Sequence, residues 1–133
     1  MQAAYAVAIL GVVAVGLQYH WLRRGNRAVQ RTAVMRSFAE VVRTNVPPDA
    51  RLVHVNEPFA VQVYLNTISP YVTIAQAAEL MRGETPVFVM ITNPAPLLQE
   101  LGTNRAHVLH EHGLRDKVFL ISNRPRAAAA VGQ

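Results

Sequence analysis

The stretch Ala3 to Leu22, AAYAVAILGVVAVGLQYHWL, constrains this 133-residue chain more than any other. It is an apolar run of about twenty residues, the length an α-helix needs to cross a hydrocarbon core of roughly 30 Å. Gln18 and His20 are its strongly polar members. Both sit near the end where Tyr19 and Trp21, with Tyr5 at the opposite end, fit an interfacial aromatic belt. A secretory signal peptide is the main rival reading. It should open with a basic region, and Met1-Gln2 carries no side-chain charge. The expectation is a transmembrane helix over residues 1–24, with the chain at the inner membrane as a single span and the lipid bilayer as its first partner.

Charge sharpens this picture once it is located. Six arginines (Arg23, Arg24, Arg27, Arg31, Arg36, Arg43) against Glu40 supply the whole net +5, because from Thr44 onward seven basic residues balance seven acids. The remainder is a neutral domain, so the basic pI does not argue for nucleic acid. Arg23, Arg24, Arg27 and Arg31 instead form a collar suited to anionic headgroups. With no cysteine in the chain, disulfides and thiolate metal sites are excluded.

Residues 25–46 read as a juxtamembrane amphipathic helix that Gly25-Asn26 interrupts or bends. Val34, Phe38, Val41 and Val42 fall on one face at i, i+4, i+7 and i+8. Pro47-Pro48 stops it, and residues 47–125 have the composition of one small domain. Short β-rich segments recur at 51–55, 71–74, 86–92, 106–110 and 117–122. Helical segments lie between them at 59–65, where the valines also permit a strand, and at 75–82 and 96–101. Pro86 to Thr92 is hydrophobic throughout, as in a strand covered on both faces at the centre of a parallel sheet. The expected fold is therefore α/β: one N-terminal transmembrane helix, then a small, mostly parallel sheet of about five strands with flanking helices and a terminal hairpin. Residues 126–133 read as a frayed tail.

Chemistry is harder to find. His107, His110, Glu111 and His112 are the densest group of functional side chains. On a regular strand, His110 and His112 share one face while His107 and Glu111 take the other, so the four do not converge on a metal. A site built from His110, His112 and His54 is the remaining metal candidate. The loops Asn56-Glu57-Pro58 and Asn93-Pro94-Ala95 lack the glycines of a phosphate cradle. Glu57 fits a ligand position at the carboxyl edge of the sheet or a first-turn helix residue. Ser37, Ser69 and Ser122 are isolated and lie in no nucleophile motif. No catalytic residue, resident metal or cofactor is assigned from these residues.

One combination resembles a known family. The apolar helix, the amphipathic helix, the Pro-Pro-Asp-Ala turn, RLVHV, FAVQVYLN, PVFVMITN and KVFLISNRP, in that order, resemble the C-terminal end of GT-C glycosyltransferases. These take sugars from polyprenyl-phosphate donors, as the lipid A aminoarabinose transferases and the protein mannosyltransferases do. Val63-Tyr64-Leu65-Asn66 is an imperfect match to a Tyr-Leu-Gly-Arg-like sequence after the first strand of that domain. The resemblance implies an accessory, non-catalytic part of a membrane glycosyltransferase, partnered by the remaining helices of a polytopic protein. The family's catalytic acid lies in an early extracytoplasmic loop, and no position here inherits it. The family places this domain in the periplasm, whereas the arginine collar, by the positive-inside rule, places it in the cytoplasm. The alternative expectation is a single-span, membrane-anchored interaction module without enzymatic activity.

Overall fold

A computed structural model of the chain describes residues 2–56, 60–102, 104–113 and 117–125. The element order is α1 (Gln2–Asn45), β1 (Arg51–Val55), α2 (Ala60–Leu65), α3 (Ile74–Arg82), β2 (Val87–Ile91), α4 (Ala95–Leu101), β3 (His107–His112) and β4 (Val118–Ser122). Glu57, Pro58 and the tail from Arg126 lie outside the described residues.

The first correction concerns the membrane. Among the described residues no helix is long and apolar enough to cross one. Gln18 and His20 interrupt the apolar stretch of α1, and Arg23, Arg24 and Arg27 follow it directly. The spanning assignment and the single-span inner-membrane location are overturned. Both placements of the domain, periplasmic and cytoplasmic, presupposed that span and lose their basis. Gly25-Asn26 do not interrupt the helix either, and α1 runs through them.

The chain divides into two compact units, residues 1–33 and 34–133. In the first, every side chain described is solvent-exposed, the apolar Leu10, Val12, Val15 and Trp21 among them. The second is the α/β unit.

The second correction concerns the sheet. Among the described residues it has four strands in the order β1-β2-β4-β3, and it is mixed. β1 pairs with β2 in parallel, while β4 is antiparallel to both β2 and β3. The expected strand at 71–74 is reduced to a bridge between Tyr71 and His54, because helix chemistry claims the residues that follow. Thr73 caps α3 by accepting from the Gln76 backbone N–H while the Gln76 side chain accepts from the Thr73 N–H. This reciprocal box satisfies two donors that a helix start leaves open. The terminal hairpin β3–β4 forms as expected. β2 is buried along its whole length, but its neighbours run in opposite directions.

Strand alternation divides the core in two. On one face Val53, Val55, Val87, Val89, Ile91 and Ile121 meet Ala77, Ala78 and Met81 of α3 and Leu97 of α4. On the other, Phe88, Met90, Leu109, Val118 and Leu120 meet Met35, Phe38, Ala39 and Val42 of α1 and Val61 of α2. The α1 stripe expected from Val34, Phe38, Val41 and Val42 is thus real, with Phe38 and Val42 fully covered.

Asn123 closes the end of the sheet. Its side chain accepts from the Val87 N–H at 3.0 Å and donates to the carbonyls of Gly83 and Thr85 at 3.2 and 2.9 Å. One amide therefore does the hydrogen bonding of a short strand extension at the α3–β2 connection.

Candidate functional site

The α1-covered face carries the polar chemistry of the α/β unit, at both edges of the sheet. At the β1 edge, His54 Nδ1 lies 3.0 Å from Ser69 Oγ, and Gln62 Nε2 lies within 3.0–3.2 Å of the ring nitrogens. Tyr71 packs against the imidazole, ring centres 5.6 Å apart and tilted. Ser69 and Gln62 are buried, and among the described residues Gln62 Oε1 has no hydrogen-bond partner.

The β3 edge holds the second group. The register pairs His107 with Ser122, Val108 with Ile121, His110 with Leu120, Glu111 with Phe119 and His112 with Val118, with an irregularity between Val108 and His110. Leu109 is the extra residue, and it turns into the core on the α1 side. A bulge of this kind reverses side-chain parity along one strand. His107 therefore joins His110 and His112 on one face, where an unbroken strand puts it on the other. Glu111 goes opposite, with Phe119, and forms an ion pair with Lys117. The rings of His110 and His112 stack at 5.7 Å and 26°. Ser37 Oγ hydrogen-bonds His112 Nε2, and the Phe38 ring lies 6.2 Å from the same imidazole. Burial, and then the neighbouring His110, hold the His112 pKa below its usual 6.5.

The three-histidine metal site fails on topology. His54 is on β1 and His110 and His112 are on β3, at opposite edges of the sheet and three strand spacings apart, about 14 Å. Among the described residues no group of three or more histidines or acids could hold a metal ion. Ser37 and Ser69 each meet a histidine, yet among the described residues neither imidazole is oriented by a carboxylate, and Ser69 is buried. The sequence signals missed were long-range ones: Ser37 and Ser69 are isolated in the chain and acquire partners only through the sheet.

Elsewhere, Arg51, Val72, Ala75, Gln76, Glu79 and Leu80 line an open groove of about 500 Å³ between β1 and α3. Arg23, Arg24, Arg27 and Arg31 are exposed, as are Tyr5, Tyr19 and Trp21. Arg43 bridges α1 to α2, bonding both Glu40 and the Tyr64 carbonyl.

The fold and its polar face define a small α/β unit with a four-stranded mixed sheet, preceded by a long helix. That arrangement is similar to part of a solved glycosyltransferase of the GT-C class, ArnT from Cupriavidus metallidurans in the apo state. The TM-score is 0.55 at 15% identity, over 77% of this chain. The chain spans 22% of the length of that protein. No family model matches the sequence, and no curated protein matches it.

Proposed function

We propose that the chain serves as the C-terminal accessory, non-catalytic part of a membrane glycosyltransferase that uses a lipid-linked sugar donor. The observation that carries this reading is the likeness of its fold to a stretch of ArnT. The order of its hydrophobic segments, read independently from sequence, points to the same family. In this reading the α/β unit contributes stability or acceptor recognition to a catalytic centre built elsewhere. The apolar residues Ile9 to Leu22 are the surface that the remaining helices of a polytopic partner cover, since a helix apolar on all sides is normally buried. Arg23, Arg24, Arg27 and Arg31 meet anionic lipid headgroups.

Reconstitution with a GT-C transferase that lacks its C-terminal α/β region tests this. The purified chain alone should transfer no sugar from a polyprenyl-phosphate donor, and adding it should restore the truncated enzyme's activity. Transfer by the chain alone, or no effect on the truncated enzyme, would overturn the proposal.

A further inference from the structure

We propose that the groove between β1 and α3 is a self-association surface, through which two copies of the chain pair about a two-fold axis. The groove, about 500 Å³, is lined by Arg51, Val72, Ala75, Gln76, Glu79 and Leu80. It lies beside β1, an edge strand of the sheet. Strand alternation puts Arg51 on the face of Val53 and Val55, toward α3. Val72, Ala75, Gln76 and Glu79 recur at i, i+3, i+4 and i+7 through the start of α3, which sets them along one stripe.

The charges in the groove are what identify the occupant. Arg51 and Glu79 are exposed, and among the described residues neither side chain has an ion pair or a hydrogen bond. Elsewhere on α3, Arg82 is paired with Glu100 of α4. The fold thus closes the charges where α3 meets α4 and leaves one cation and one anion open beside β1.

One free charge of each sign makes this surface complementary to itself. About a two-fold axis, a residue of one copy meets a second residue of the other, and the reverse contact follows by symmetry. Arg51 then reaches Glu79 of the second copy, and Glu79 receives Arg51 of the second copy, giving two equivalent ion pairs. The methylene stem of Arg51 covers the apolar floor of Val72, Ala75 and Leu80 in the second copy, while its guanidinium stays at the rim. Six lining residues are far fewer than the roughly 20–30 a side of a standard interface, so the dimer is weak and concentration-dependent.

Sedimentation equilibrium of the full chain, in a mild detergent that covers the exposed apolar residues of α1, tests the proposal. A reversible monomer–dimer equilibrium is expected. Arg51→Glu and Glu79→Arg each put two like-charge contacts into the dimer and should weaken it at least about tenfold. Mixing the two variants restores both opposite-charge pairs, so the mixture should dimerise as the unaltered chain does. The chain carrying both substitutions should do the same. Both side chains are exposed, and thermal unfolding checks that each variant keeps its fold. A chain that stays monomeric up to about 1 mM, a dimer indifferent to either reversal, or a mixture that fails to recover would overturn the proposal.

Discussion

The two faces of the sheet are built on different terms. The α3/α4 face is closed by helices that sit between strands in the sequence, and its buried core is entirely apolar. The α1 face is closed by the last turns of a helix that precedes the first strand, and it mixes Phe38, Phe88 and Leu120 with the Ser37–His112 and His54–Ser69–Gln62 contacts. The first face is local. The second depends on contacts between residues 75 positions apart, such as Ser37 and His112, and it is where ionisable groups are gathered. Hydrophobic burial thus sets the stability of both faces, while the buried polar side chains found among the described residues lie on the α1 face.

The largest expected effects compare the two cores directly. Phe38→Ala should cost about 4 kcal/mol and Leu97→Ala about 3 kcal/mol, since both side chains are fully buried. Equilibrium denaturation measures both. A near-neutral Phe38→Ala would mean that α1 is not part of the α/β core. Next comes Asn123→Ala, which strands the Val87 N–H and two carbonyls and should cost about 2 kcal/mol. Thr73→Ala removes the α3 cap and should cost about 1 kcal/mol.

The smallest effect is the pH dependence of the α1 face. Burial and His110 lower the His112 pKa in the folded state, so the unfolded chain binds more protons between the two values. The contribution is fully present above about 6.5 and is lost as pH falls through the depressed folded value. His112→Gln should flatten this part of the stability–pH curve. A profile identical in His112→Gln would remove the imidazole from the account of that face.

Strands and the α1 stripe were the legible parts of both faces. RLVHV, PVFVMIT and KVFLIS read as strands because β-branched runs between turns have few other uses, and Val34, Phe38 and Val42 announced the α1 stripe by spacing alone. Tyr71 to Ile74 misread as a strand because four β-favouring residues outweighed the Thr73–Gln76 capping box, which was present in the sequence. Strand direction was not legible, since a fully apolar strand looks the same between parallel and antiparallel neighbours. The histidine faces were misplaced by one residue, Leu109, because a bulge leaves no signature in the alternation it disrupts. The apolar run before Arg23 reads as a span by its length, whereas among the described residues no helix is both long and apolar enough to cross a membrane.

The central claim is that the final turns of α1 are an integral part of the α/β core. Native-state hydrogen exchange on the full chain tests it most directly, by comparing amides of Met35 to Val42 with those of β2 and β4. Slow exchange with the same opening free energy as Val89 and Leu120 is the predicted result. Exchange of Met35 to Val42 through a separate, lower-energy opening, while the strands stay protected, would contradict it.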